Sequence, residues 1–146
     1  MYNILVLGIS GNVSLGILKA LRYENIACKI IGGCVNINTA GDLWCDEVVK
    51  TPYANDASFI PWLINVCQNK KIDLFLTGVE EILYKVAENM DELKNNTDTI
   101  FIVSDFQMLK IGQNKLLTCQ WLKENGFSYP KYALSQDRQE VEKLYK

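Results

Sequence analysis

The chain begins with an unbroken apolar run, YNILVLG at residues 2–8, which ends in glycine and leads into a helical pattern. A strand without polar alternation has to be covered on both of its faces, as the strands of parallel sheets are. In the next segment, residues 12–23, apolar side chains recur at helical spacing. The first residues therefore predict the β–turn–α opening of an α/β fold.

Strand and helix patterns continue to alternate along the chain to residue 104. Further strands are predicted at 26–33, 47–50, 71–78 and 99–104, further helices at 57–70 and 79–94, and a loop at 34–46. This alternation predicts an α/β fold with a Rossmann-like parallel sheet and helices on both faces. Ligands of such sheets bind beyond the carboxyl ends of the strands.

The pattern changes after Phe106. A helix is predicted from about residue 114 to 125, where Gly126 stops it. The stretch YPKYAL at 129–134 favours a strand, and residues 136–146 favour a helix. We therefore predict one Rossmann-like domain over residues 1–112, followed by a separate, mostly helical segment over 113–146.

The overall composition limits the kinds of partner. The 146 residues carry a formal net charge of −2, and no long block of like charges indicates nucleic acid. The start MYNILVLG has no positive region and is too short for a signal peptide or a membrane span. We therefore expect a cytoplasmic protein with no membrane or nucleic-acid partner, which acts on a small molecule or another protein; a homo-oligomer is left open.

The histidine and cysteine content limits the kinds of catalytic and metal site that the chain can form. Histidine is absent from the sequence, which removes Ser–His and Cys–His nucleophile pairs and histidine-ligated metals. The 5 cysteines include no C-x-x-C pair, which indicates reduced thiols rather than a disulfide framework or a zinc cluster. No metal site and no catalytic residue is predicted within the chain.

Glycines at 8, 11 and 16 surround the junction between the first strand and the first helix. Backbone N–H groups and the helix dipole converge at such a junction, which favours a bound anion. The nicotinamide spacing G-x-x-G-x-x-G fits at Gly8 and Gly11 and departs at Ser14. Over this one β–α unit, GISGNVSLGILKAL resembles the opening of the NmrA-like extended short-chain dehydrogenases.

Other residues argue against a nicotinamide cofactor. The second strand ends without the acidic residue that would hold a ribose hydroxyl, and offers Cys34 and Asn36 instead. No tyrosine is followed by lysine four positions later, so the Y-x-x-x-K pair of those dehydrogenases is absent. Tight packing of the helix on the first strand is a purely structural alternative explanation of the glycines.

A second resemblance covers residues 1 to about 135. In order and spacing, it is carried by ILVLGISGNVSLGILKAL, IIGG, AGDLWCDEVVKTPYAND, IDLFLTGVEEIL, FIVSD and QNKLLTCQWLKENGFSYPKY. Together these segments resemble the N-terminal part, or pre-ATP-grasp domain, of ATP-grasp ligases, especially proteins like the large subunit of carbamoyl-phosphate synthase. The most specific piece is N-K-L-L-T followed by a helix and E-N-G-F-S-Y-P, which is similar to the family's entry into its nucleotide-binding domain.

The resemblance implies one nucleotide-binding residue. Lys115 matches the lysine that reaches the ATP phosphates from the start of this helix in similar enzymes. A cation is mildly disfavoured in the first turn of a helix, so its position there favours a function over a solvated surface role. Asn114 stands where the family has aspartate, and it keeps the ability to cap the helix.

The resemblance also implies a substrate site. Ser10, Gly11, Asn12 and Val13 would offer backbone N–H and hydroxyl donors to a small carboxylate or acyl-phosphate substrate. Glu80 and Glu81 follow a strand end at the same edge, where one of them could accept a proton or a substrate amine. Acidic residues also suit the first turn of a helix for electrostatic reasons alone, and both interpretations of the two glutamates stay open.

The activity implied by the resemblance is that of a carboxylate–amine or carboxylate–thiol ligase, which forms an acyl phosphate with ATP and Mg²⁺. The resemblance implies that residues 113–146 are a linker helix and the incomplete start of the ATP-grasp domain. The phosphate loop, second lysine and magnesium ligands of that domain have no match before Lys146. We therefore expect the remaining ATP-grasp domain to be a partner of these residues, the chain alone to be inactive, and no cofactor to bind it tightly. The alternatives are an NAD(P)-binding domain and a non-catalytic binding module.

Overall fold

The computed structural model describes residues 1–24 and 27–144. The chain divides into two compact units, Met1–Asp105 and Phe106–Lys146. The first unit therefore ends seven residues before the predicted domain boundary at residue 112. The boundary at residue 112, and the assignment of residues 113–146 to the start of a second domain, stay predictions.

Five strands form one sheet in the first unit. They are β1 (Tyr2–Leu7), β2 (Cys28–Cys34), β3 (Glu47–Lys50), β4 (Leu74–Thr77) and β5 (Ile100–Phe101). The strand order is β3-β2-β1-β4-β5, and every pair is parallel. The predicted parallel α/β sheet is confirmed, and the chain changes direction across the sheet between β1 and β4.

Four helices and a short 3-10 helix connect these strands. They are α1 (Asn12–Tyr23), the 3-10 helix (Ala40–Trp44), α2 (Phe59–Asn69), α3 (Glu80–Glu88) and α4 (Met90–Asn96). The single helix predicted over 79–94 is wrong, because Asn89 ends α3 and begins α4. Its side-chain amide donates to the carbonyl of Lys85, at 2.8 Å, which closes α3.

The core lies on both faces of the sheet, as period-two alternation along β1 requires. Ile4 and Val6 pack on one face together with Leu18 of α1. Leu5 and Leu7 pack on the other face in a cluster that contains buried residues of α2, α3 and α4. The prediction of helices on both faces is confirmed.

The fifth strand is shorter than predicted. The pattern TIFIVS favoured a strand over 99–104, whereas only Ile100 and Phe101 pair with β4. β5 is the last strand of the sheet and pairs with β4 alone. Ile100 and Ile102 are 62% and 54% exposed, so the side chains at this edge are partly open to solvent. Apolar composition alone does not distinguish such an edge from a central strand. The predicted start of β2 at residue 26 lies outside the described residues.

The second unit contains helices α5 (Phe106–Gln113), α6 (Lys115–Glu124) and α7 (Arg138–Leu144). The helix predicted at 114–125 is confirmed, while α5 was not predicted. The strand predicted at 129–134 is wrong, because those residues form no regular element. A strand needs a neighbour for its backbone groups, and Pro130 lacks one of the required N–H donors.

Across the part of the chain that the structure describes, the helices are too short or too polar to span a lipid bilayer.

Candidate anion-binding site

The glycine turn, residues 8–11, joins the carboxyl end of β1 to the start of α1. Gly8 has a φ of +73°, and a Cβ there would lie 2.2 Å from a methyl carbon of Val79. Both the backbone angle and the crowding therefore require glycine at this position. The N–H of Gly8 donates to the carbonyl of Gly33 at 2.7 Å, and the N–H of Gly11 donates to the carbonyl of Gly8 at 2.9 Å.

The first turn of α1 has no side-chain cap. Gly11 is the N-cap residue, its backbone is extended, and among the described residues no side-chain hydrogen bond caps the helix. The N–H groups of Asn12 and Val13 have no carbonyl partner within the helix, as in any first turn. Both residues are exposed, and the turn carries no acidic residue. The positive end of the helix dipole is therefore free to meet an anion beyond β1.

Ser10 and Cys34 meet at the ends of β1 and β2. The Oγ atom of Ser10 lies 3.2 Å from the Sγ atom of Cys34, and Cys34 is 7% exposed. Burial raises the pKa of the Cys34 thiol, but hydrogen bonds from the Ser10 hydroxyl and from the backbone of Asn36, Ser10 and Val35 outweigh it, so the pKa lies below the usual value. Donors at this edge thus stabilise a negative charge.

A hydrogen-bonded bridge joins the glycine turn to the loop after β4. The buried hydroxyl of Ser14 donates to the carbonyl of Leu7 at 2.8 Å and accepts from the N–H of Gly78 at 3.0 Å. The hydroxyl of Thr77 donates to the same carbonyl at 3.1 Å and accepts from the N–H of Val79 at 3.2 Å. In the sequence, Ser14 is distinguished only as a departure from a glycine pattern.

The helix that follows this loop begins with the two predicted acidic residues. Glu80 and Glu81 are the first two residues of α3, and both are exposed. They follow Gly78, which contacts the first turn of α1, so the structure brings their segment to the edge where Ser10–Val13 lie. Their place in a first turn agrees with the helix dipole as well, so both interpretations of the two glutamates remain.

Lys115 lies in the second unit, as the first residue of α6. The side-chain oxygen of Asn114 accepts from the N–H groups of Leu116 and Leu117, at 3.0 and 3.3 Å. The predicted capping role of Asn114 is therefore confirmed. Lys115 is exposed and lies at a groove of about 480 Å³ whose walls include Cys119, Pro130, Tyr132 and Leu134.

The donor atoms fit an anion better than a metal ion. Within residues 1–24 and 27–144, no three cysteine, aspartate or glutamate side chains are arranged to hold a metal. Lys115 places a cation, which is a group that can pair with phosphate, beside the groove.

Comparison with known proteins gives no match in sequence. No family model matches the chain, and no curated protein matches it.

Comparison with solved structures gives clear matches in fold. N5-carboxyaminoimidazole synthetase from Staphylococcus aureus, complexed with ADP, superposes with a TM-score of 0.66 and 14% identity over 98% of this chain. An L-amino acid ligase from Bacillus licheniformis superposes with a TM-score of 0.64 and 16% identity over 89% of this chain. The chain spans about a third of these proteins, 34% and 30% of their lengths. At this identity the matches establish a shared fold.

A nicotinamide enzyme matches less of the chain. The dTDP-glucose 4,6-dehydratase from Bacillus anthracis, in complex with NAD, superposes with a TM-score of 0.50 and 15% identity. The match covers 69% of this chain and 37% of that protein. The synthetase and the ligase therefore match 98% and 89% of this chain, and the dehydratase matches 69% of it.

Proposed function

We propose that the chain is the N-terminal, substrate-binding region of an ATP-grasp ligase that joins a carboxylate to an amine or a thiol through an acyl phosphate. One observation carries the proposal: the ligase matches cover 98% and 89% of the chain, more than the first unit alone provides, whereas the NAD enzyme covers 69%. Neighbours that bind ADP agree with ATP as the nucleotide of the whole enzyme.

In this proposal the glycine turn binds the negative part of the substrate. The uncapped N–H groups of Asn12 and Val13 and the Ser10 hydroxyl supply donors at one edge of the sheet. A carboxylate or a phosphoryl group is the ligand that such donors favour. Glu80 or Glu81, in the first turn of α3, accepts a proton or binds a substrate amine. A specificity like that of carbamoyl-phosphate synthase is part of the same proposal and rests on the sequence resemblance.

Lys115 contributes in a different way. It binds the phosphates of ATP from the start of α6 and neutralises charge as a phosphoryl group moves. Its exposure and its position beside the groove support this role. The remaining nucleotide contacts and the Mg²⁺ ligands are proposed to come from the ATP-grasp domain that completes such enzymes.

Calorimetric titration tests the substrate class. Acetyl phosphate serves as a small acyl phosphate, and NAD⁺ serves as the competing ligand. We expect acetyl phosphate to bind with a dissociation constant of roughly 1 mM or below, and NAD⁺ to give no heat of binding. Micromolar binding of NAD⁺ would favour a nicotinamide domain, and failure of both ligands would favour a non-catalytic module.

A pair of lysines on one helix tests the nucleotide role. Lys115 begins α6 and Lys123 lies in its last turn, and both are exposed. With Mg-ATP at millimolar concentration, we expect the amide signals of residues 114–118 to shift. Lys115→Ala should abolish these shifts and Lys123→Ala should leave them in place. Equal behaviour of the two variants would remove Lys115 from the proposed site.

A further inference from the structure

One backbone carbonyl at the end of β1 receives two buried hydroxyl groups. The carbonyl oxygen of Leu7 lies 2.8 Å from the Oγ atom of Ser14 and 3.1 Å from the Oγ1 atom of Thr77. Ser14 is 0% exposed and Thr77 is 8% exposed. A carbonyl has two lone pairs, so both bonds can form together. The acceptor belongs to the strand from which the glycine turn departs.

Each hydroxyl also accepts a hydrogen bond from the loop after β4. The N–H of Gly78 donates to Ser14, and the N–H of Val79 donates to Thr77. A hydroxyl that donates and accepts at once holds its two partners at a fixed separation. Leu7, Ser14 and Thr77 therefore link the end of β1, the first turn of α1 and the loop that leads to α3.

The packing around Gly78 shows how closely the loop after β4 approaches the first turn of α1. A Cβ on Gly78 would lie 2.5 Å from the Cβ of Val13 and 2.7 Å from the backbone nitrogen of Ser14. The loop after β4 thus lies directly against the residues that offer free N–H groups. Any movement of this loop would change the surroundings of Asn12 and Val13.

We infer that Ser14 and Thr77 are positioning residues of the anion site, which hold the first turn of α1 and the β4–α3 loop in a fixed arrangement around the ligand. The inference rests on the proposed function, because it concerns the same site. It also accounts for Ser14 in place of a fingerprint glycine: a glycine there would remove the hydroxyl that fastens the turn to the neighbouring strand. Binding is tightest when donors are held in place before the ligand arrives.

Substitutions that remove one hydroxyl at a time test the inference. Thr77→Val removes the hydroxyl and keeps the shape of the side chain, while Thr77→Ser keeps the hydroxyl. Ser14→Ala removes the other hydroxyl. Thr99→Val is the matched control, since Thr99 is 7% exposed and its hydroxyl donates to the carbonyl of Ile72 at 2.8 Å, at the opposite end of β4.

The probe is inorganic phosphate, followed through the amide signals of Gly11, Asn12 and Val13. Loss of one fixing hydrogen bond should weaken phosphate binding by roughly 3- to 10-fold in Thr77→Val and Ser14→Ala. Thr77→Ser and Thr99→Val should stay within about twofold of the wild type. The melting temperature should fall in both valine variants, so a loss of stability alone does not produce the expected pattern.

Each outcome decides a separate question. If the wild type binds phosphate and Thr77→Val binds it as well as Thr99→Val does, the positioning role is overturned and the proposed function stands. If the wild type gives no response to phosphate, the proposed anion site is overturned and the positioning role with it. If Ser14→Ala does not fold, the comparison of Thr77→Val with Thr77→Ser decides alone.

Discussion

Among single residues, Cys34 is placed to report on the polar groups at the ends of β1 and β2. Its thiol contacts the Ser10 hydroxyl and backbone donors at the ends of β1 and β2, and its pKa lies below the usual value. Cys45 has the opposite surroundings, because burial and the charge of Asp42 raise its pKa to about 11. The two thiols therefore report on two environments within one unit.

Alkylation by iodoacetamide at increasing pH, read by mass spectrometry, measures this difference. The thiolate is the reactive form, so we expect the reaction of Cys34 to reach its midpoint at a lower pH than that of an ordinary thiol, and that of Cys45 to reach it near pH 11. Ser10→Ala removes a donor to Cys34 and should move its midpoint upward while leaving that of Cys45 unchanged. A shared midpoint for both thiols would show that the turn does not stabilise charge.

Between elements, substitutions at two glycines test how tightly helix α1 packs against the β4–α3 loop. A Cβ on Gly78 would clash with Val13 and with the backbone of Ser14, whereas a Cβ on Gly16, within α1, would meet nothing within 4 Å. We expect Gly78→Ala to lower the free energy of unfolding by about 2–3 kcal/mol through overpacking. Gly16→Ala should raise it by about 0.5–1 kcal/mol through helix propensity.

Denaturant unfolding of both variants and the wild type provides the measurement. The two substitutions add the same methyl group, so a difference in sign reflects packing at the two positions. If Gly78→Ala were as stable as the wild type, the close approach of the loop to α1 would be wrong. The positioning role of Ser14 would then lose its structural basis.

The elements that could be predicted from sequence are those whose pattern is local. The buried strand β1, the glycine turn and α1 follow from an apolar run, a glycine and helical spacing. The break at Asn89 could not be predicted, because the apolar pattern continues across it and a side-chain bond to Lys85 ends α3. The extent of β5 and the absence of a strand at 129–134 depend on pairing partners, which a local pattern does not contain.

The candidate site also contains some features that a local sequence pattern predicts and others that depend on residues far apart in the chain. Glycine spacing was enough to locate the turn, and the resemblance of QNKLLT was enough to single out Lys115. The shared carbonyl of Leu7 and the hydroxyl of Thr77 could not be found, because the residues of that bridge are up to 70 positions apart. A motif that departs from a pattern at one residue, as at Ser14, is the signal that would have pointed to it.

At the scale of the whole molecule, the two units differ in how much they bury. In the first unit, β1 and β4 contribute to cores on both faces of the sheet. Among the described residues of the second unit, Cys119 is the one buried side chain. The free energy of local unfolding is lowest where a segment makes few apolar contacts.

Hydrogen exchange followed by mass spectrometry measures this contrast in the intact chain. We expect amides of β1 and β4 to exchange at least about tenfold more slowly than those of α6. A saturating nucleotide that engages Lys115 should slow exchange in α6 without changing β1. Equal protection of the two units in the free chain would contradict the difference in burial.

As proposed above, the glycine turn binds the anionic group of a ligase substrate rather than a nicotinamide cofactor. The decisive measurement is an amide-resolved NMR titration of the intact chain, with acetyl phosphate in one series and NAD⁺ in the other. We expect saturable shifts at Ser10, Gly11, Asn12 and Val13 with acetyl phosphate and none with NAD⁺. Saturation of those amides by micromolar NAD⁺, with acetyl phosphate leaving them unmoved, would show instead that the turn is a nicotinamide site.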